Sequence, residues 1–218
     1  MKKLVGIGIG PGDTALITLK AFKIIRSCDV VFIPESKGES LAGKITQEFI
    51  KDKKVIELSF PMGADNQDRY VQAANTINET LKDSEVGVFL TLGDPMTYST
   101  YAYLMRSLSN FNVLTETIPG ITSYNAAAAL LGLPVTLKDE SFYLADGNVD
   151  EEILKRIDCV CILKVSKNKQ EIIDKLECNG FDYTYVKRCT QANQEVLYKK
   201  EDMLADKDYM SLIFARRA

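Results

Sequence analysis

Three short runs of glycine, proline, aspartate and small hydroxyl residues have the types and spacing to do chemistry. They are Gly6-Ile7-Gly8-Ile9-Gly10-Pro11-Gly12-Asp13, Thr91-Leu92-Gly93-Asp94-Pro95-Met96-Thr97-Tyr98-Ser99-Thr100 and Pro119-Gly120-Ile121-Thr122-Ser123. Glycine admits tight backbone turns and close approach of a ligand to the main chain. The first run does not fit the dinucleotide pattern G-x-G-x-x-G, because its glycines fall at every second position and Pro11 interrupts the helix entry. An ordinary strand-to-helix turn, with Asp13 capping the helix, explains it equally well. The second run carries more information: a buried strand enters a Gly-Asp-Pro turn, and a cluster of hydroxyls opens a helix. Main-chain groups, Asp94 and Ser99 or Thr100 could hold a ligand with a ribose and an amino acid tail, whose carboxylate a helix N-terminus would suit. Capping by Thr97 accounts for part of this pattern. In the third run small hydroxyls precede Ala126-Ala127-Ala128-Ala129, a helix face able to pack closely on a neighbour or a ligand.

Other chemistry is excluded by what the chain lacks. It has no histidine, so Ser-His-Asp and Cys-His nucleophiles and imidazole-ligated metals are ruled out. The five cysteines, Cys28, Cys159, Cys161, Cys178 and Cys189, are odd in number and lie in apolar or structured stretches, which predicts reduced thiols rather than a secreted disulfide framework. Cys159 and Cys161 would share one face of a strand, a poor geometry for a structural zinc pair, and core packing is expected of them. No protein-bound metal is expected. The net charge is −3, with lysine and arginine dispersed, which argues against a nucleic-acid surface but leaves room for a local cationic pocket. No apolar run approaches the roughly 20 residues that span a bilayer. The opening Met1-Lys2-Lys3-Leu4-Val5-Gly6 breaks into glycines before a signal core forms, so a cytoplasmic location away from membranes is expected.

The elements that must position these runs follow from periodicity. Strands are predicted over 3–9, 29–33, 54–58, 87–92 and 111–118, and helices over 14–28, 40–51, 66–81 and 97–108. Such alternation favours a largely parallel sheet whose functional loops lie at the carboxyl ends of its strands. A helix over 122–131 follows the break at Pro119-Gly120. Beyond it come strands over 141–145 and 158–164, then a helix over 168–178 opened by an Asn168…Glu171 capping box and closed at Asn179-Gly180. Strands over 182–187, 194–198 and 209–215, joined by short connections, predict a mixed sheet. With 218 residues the chain is expected to form two α/β domains, 1–118 with a mainly parallel sheet and 119–218 with a mixed one.

In order and spacing, Gly8-Ile9-Gly10-Pro11-Gly12-Asp13, Gly93-Asp94-Pro95, Pro119-Gly120-Ile121-Thr122-Ser123 and Gly132-Leu133-Pro134 together resemble the tetrapyrrole methylase family over essentially the whole chain. The resemblance implies two α/β domains with S-adenosylmethionine held in the cleft between them and S-adenosylhomocysteine as product. Carried over position by position, it implies cofactor contacts at Leu92, Gly93, Asp94, Thr97, Ser99, Thr100, Thr122 and Ser123. Two further implied contacts depart from the family pattern: Val165 stands where methionine is frequent, and Cys189 replaces a usually small residue. Pro11, Gly12 and Asp13 match the loop that borders the macrocycle, and Asp94 is the candidate to position a reactant or accept a proton. The runs Asp29-Val30-Val31-Phe32-Ile33-Pro34, Ser59-Phe60-Pro61-Met62 and Tyr98-Ser99-Thr100-Tyr101 look most like the branch that methylates the C-20 meso carbon of precorrin-2 or cobalt-factor II in cobalamin biosynthesis. A small-molecule tetrapyrrole partner and a homodimer are also implied. Lys37, Lys164 and Arg188, by their loop positions, are candidates for the macrocycle's carboxylates, with solvated surface as the other reading. Rival readings are methylation of another macrocycle carbon, methylation of ribosomal RNA or of a modified histidine in a translation factor, and a non-catalytic sensor of a nucleoside-like ligand.

Overall fold

Strand β1 (Lys2–Gly8) shows how the first half is built. Its side chains alternate between two hydrophobic clusters, Leu4 in one and Val5 and Ile7 in the other, so both faces are buried, as parallel sheets require. The computed structural model describes residues 1–36, 38–60 and 67–217. The chain divides into two compact units, Met1–Thr122 and Ser123–Ala218.

In the first unit β1, β2 (Val30–Glu35), β3 (Lys54–Ser59), β4 (Val86–Thr91) and β5 (Val113–Ile118) form one sheet in the order β3-β2-β4-β1-β5, with every pairing parallel. Helices α1 (Leu19–Ser27) and α2 (Leu41–Ile50) cover the Val5 face through Ala21, Ile25, Ala42 and Ile50. Helices α3 (Gln67–Thr80) and α4 (Thr100–Leu108) cover the Leu4 face through Ala74, Ile77, Leu104 and Leu108. Gly6 lies on that second face beneath Tyr101, where a Cβ would stand only 2.2 Å from the ring. Tyr101 is fully buried and its hydroxyl donates to the Glu116 carbonyl at 2.8 Å.

The helix expected over 14–28 is broken. Asp13 caps a single 3-10 turn at Thr14–Leu16, the backbone turns extended at Ile17 and Thr18, and α1 starts only at Leu19. Thr18 is the reason: its hydroxyl accepts from the Ala21 amide at 3.2 Å, as an N-cap does.

The second unit holds the expected mixed sheet. Strands β6 (Phe142–Asp146), β7 (Cys159–Leu163), β8 (Phe181–Lys187), β9 (Glu195–Leu197) and β10 (Ser211–Arg217) lie in the order β6-β7-β10-β8-β9. Only the β6/β7 pairing is parallel. Cys159 and Cys161 are fully buried, as expected. The helices are α5 (Ser123–Leu131), α6 (Glu151–Leu154), α7 (Lys169–Cys178) and α8 (Lys200–Ala205). Two expectations fail here. The capping box at Asn168 does not form: Asn168 adopts φ 55° without a side-chain cap bond, and Glu171 instead takes the Lys175 ammonium at 2.7 Å. The connections around β9 are also not all short, since α8 intervenes before β10. Buried Lys169 anchors α8 by donating to the Met203 carbonyl at 2.9 Å and to the Asp206 carbonyl. The Asp206 carboxylate accepts from the Tyr185 hydroxyl at 2.6 Å, the Lys187 ammonium at 3.2 Å and the Asp208 amide at 3.0 Å.

Candidate functional site

In the first unit β4, β1 and β5 are neighbours running the same way, so their carboxyl ends come together. The ladder continues past them through main chain alone. Ile9 donates to the Thr91 carbonyl at 3.0 Å, and Gly93 and Gly10 exchange bonds of 2.8 and 3.3 Å. Gly10 and Gly93 sit at φ 76° and 71°, conformations that glycine adopts without steric penalty. A Cβ on Gly8 would stand 2.5 Å from the Gly120 nitrogen, and one on Gly120 would stand 2.2 Å from the Gly93 carbonyl oxygen. The three runs therefore meet at backbone contact distance, which glycine alone permits at positions 8 and 120.

Asp94 fastens this junction. One carboxylate oxygen accepts from the Gly120 amide at 3.0 Å; the other accepts from the Met96 amide at 2.8 Å and from the Thr97 hydroxyl at 3.4 Å. The helix expected from residue 97 begins at Thr100, and its cap is Ser99 rather than Thr97. The buried Ser99 hydroxyl accepts from the Ala102 amide at 3.3 Å and donates to the Pro95 carbonyl. Thr97 is drawn instead to Asp94. The Gly10–Gly93 bridge sets the loop of buried Pro11, half-buried Gly12 and exposed Asp13 beside Gly93 and Asp94. The segment 119–122, expected in the second domain, groups with the first unit, which follows from its glycine contacts and the Asp94 bond. Thr122 is buried, and Ser123 opens α5.

In the second unit β6, β7 and β8 share one direction, so the residues after them and before β10 gather at one end of the sheet. The Lys164 and Arg188 amides donate to Ser211 and Met210 carbonyls at 2.8 and 2.7 Å. Four non-glycine residues there have positive φ: Lys164 at 55°, Asn168 at 55°, Arg188 at 48° and Thr190 at 65°. Such backbone costs about 1–3 kcal/mol per residue and concentrates at functional sites. The expected contacts Val165 and Cys189, both buried, sit within this strained end. Burial pushes the Cys189 thiol up to about 11, so it serves as an apolar surface at neutral pH. Of the basic candidates, Lys164 pairs with Asp146 at 3.0 Å and Arg188 pairs with Asp208; Lys37 lies outside the described residues.

The junction fits a ligand rich in polar groups. Nothing stands within 4 Å of where a Gly93 Cβ would be, and the Thr91 hydroxyl just before it is buried without a hydrogen-bond partner. Thr91 opens the quoted second run, but its burial and missing partner are visible only in three dimensions. Among the described residues no group of three or more metal-ligating side chains could hold an ion, and no helix is long and apolar enough to cross a membrane.

The model of the tetrapyrrole (corrin/porphyrin) methylases matches residues 3–205. The chain belongs to the tetrapyrrole methylases. This tetrapyrrole methylase is 33% identical over 225 residues to the Methanocaldococcus jannaschii protein named probable cobalt-precorrin-2 C(20)-methyltransferase, covering 100% of this chain and 97% of that relative. To the precorrin-2 C(20)-methyltransferase of Sinorhizobium sp it is 28% identical, covering 97% and 94% of the two chains. Among solved structures, uroporphyrin-III C-methyl transferase from Thermus thermophilus, complexed with S-adenyl homocysteine, superposes with a TM-score of 0.72 at 18% identity over 98% and 97% of the chains, a likeness of fold.

Proposed function

We propose that this tetrapyrrole methylase transfers the methyl group of S-adenosylmethionine to the C-20 meso carbon of precorrin-2 or its cobalt-loaded form, a step of cobalamin biosynthesis. The observation that carries the reading is end-to-end similarity to a relative named for that reaction, covering 100% of this chain and 97% of its partner. The loop junction supports it, since Gly93 leaves open space beside a Gly-Asp-Pro turn.

The bound donor supplies an activated methyl on a sulfonium, so no enzymic nucleophile is needed and the absence of histidine does not hinder the reaction. What the chain must provide is alignment of donor and carbon. Main chain of Leu92 and Gly93, the α4 entry at Thr97, Ser99 and Thr100, and Thr122 and Ser123 are the cofactor contacts of this reading. Val165 and Cys189 add apolar surface, and Pro11, Gly12 and Asp13 border the macrocycle. Apolar walls favour a step in which the sulfonium loses its charge as a thioether forms. Asp94, with both oxygens engaged in the loops, positions the contacts around it. The same reading carries a cytoplasmic location and a homodimer, the latter tested by light scattering of the purified protein.

The deciding experiment is incubation with S-adenosylmethionine and metal-free or cobalt-loaded precorrin-2, followed by mass spectrometry. The expected product carries one added methyl at C-20. A methyl at another carbon would move the enzyme elsewhere in the family, and no gain on either substrate would defeat the proposal.

A further inference from the structure

Thr91 ends β4, and by strand alternation it projects from the same face as Phe89, which is fully buried against α3 and α4. It is 7% exposed, and its hydroxyl is shut from solvent with no hydrogen-bond partner. The Ser36 hydroxyl is in the same condition, directly after β2, the strand that pairs with β4. Buried polar side-chain atoms are nearly always hydrogen-bonded, and each exception calls for an explanation. A valine would fill the space of Thr91 without an orphaned hydroxyl, so packing does not account for it.

We propose that Thr91 and Ser36 donate their hydroxyl hydrogens to one carboxylate of a bound reactant. Two neutral donors, one at the end of β4 and one directly after β2, match in number the two oxygens of such a group. Of the described basic candidates, Lys164 and Arg188 both belong to the second unit and are paired with Asp146 and Asp208. The inference rests on the proposed methyl transfer, whose reactants both carry carboxylates, the amino acid end of the donor and the acetate and propionate arms of the macrocycle.

The test uses the full chain with Thr91→Val, Thr91→Ser and Ser36→Ala. Thr91→Val is expected to raise KM for one reactant by roughly tenfold or more while leaving Tm unchanged or higher. Thr91→Ser should restore that KM, and Ser36→Ala should shift KM for the same reactant. A rise confined to S-adenosylmethionine assigns the carboxylate to the donor, and one confined to precorrin-2 assigns it to the macrocycle. KM values for both reactants left within about twofold of wild type, well under the tenfold worth 1.4 kcal/mol, would overturn the inference. So would a lower Tm for Thr91→Val, since that reveals a structural hydrogen bond. If the wild type methylates no precorrin, the functional reading falls separately, and calorimetry with S-adenosylhomocysteine and with precorrin-2 still decides on the hydroxyls: weaker binding of either by Thr91→Val supports them, unchanged binding of both overturns them.

Discussion

Asp94 joins two of the three loops through a single carboxylate, accepting from Gly120 across the junction and from Met96 and Thr97 within its own turn. Removing it leaves the partly buried Gly120 amide without its acceptor, at a cost of about 1–3 kcal/mol. Asp94→Ala is therefore expected to lower Tm and weaken S-adenosylhomocysteine binding together, read by thermal melts and calorimetry. If Asp94 also accepts a proton, Asp94→Asn should lose turnover beyond its loss of affinity; full activity with full affinity would remove that role. The thiols separate just as plainly. Cys178 is the exposed one among the five. Burial pushes Cys159 and Cys189 up to about 11 and raises Cys161 well above its ordinary value. Titration of native protein with a thiol reagent near pH 8 should show one fast cysteine, and all of them after denaturation. A second fast thiol would mean that the packing around one of the four buried cysteines opens readily.

Among the elements, Gly6 beneath Tyr101 is a packing constraint with a direct test. Gly6→Ala sets a methyl carbon 2.2 Å from the ring in a fully buried position, and overpacking of this kind costs about 1–3 kcal/mol or more. A drop in Tm without change in secondary structure content is expected. In the second sheet, burial alone would raise the Asp206 carboxyl, but the bonds from Tyr185, Asp208 and Lys187 outweigh it and hold it below its ordinary value. A carboxyl lowered in the folded state contributes stability above its unfolded pKa and loses it as pH falls through the folded one. The Tm advantage of wild type over Asp206→Asn should therefore be full near neutrality and shrink below about pH 4. The long strands and helices were legible because their apolar residues keep a period over many positions. What escaped were features set by one side chain or by tertiary contact: the Thr18 cap that breaks the first helix, the left-handed turn at Asn168, and short α6 and α8, of which α8 is held by Lys169 and α6 is too brief to show a period.

At the scale of the molecule, the proposed contacts to the methyl donor fall in both units, 92–100 and 122 in the first, 123, 165 and 189 in the second. A ligand that binds only the folded chain stabilises it by mass action, about 2.7 kcal/mol at a hundredfold excess over its Kd. S-adenosylhomocysteine should thus raise Tm by several degrees, and a melt that ignores it would count against the assigned contacts. The motifs of this site could be read from the sequence because Gly-Asp-Pro and Pro-Gly-Ile-Thr-Ser are local. The meeting of Gly8, Gly93 and Gly120 could not, since their contacts join strands distant in the chain. That meeting has a further consequence for how the enzyme can change. Its frame is cast in main-chain atoms, with the Asp94 carboxylate as the one side chain described in it. On the proposed reading, diversity at the rim, Pro11 to Asp13 first, can therefore be explored for new substrates while the junction stays as it is. A larger residue at position 8 or 120 leaves no intermediate setting, so the junction is inherited whole or lost.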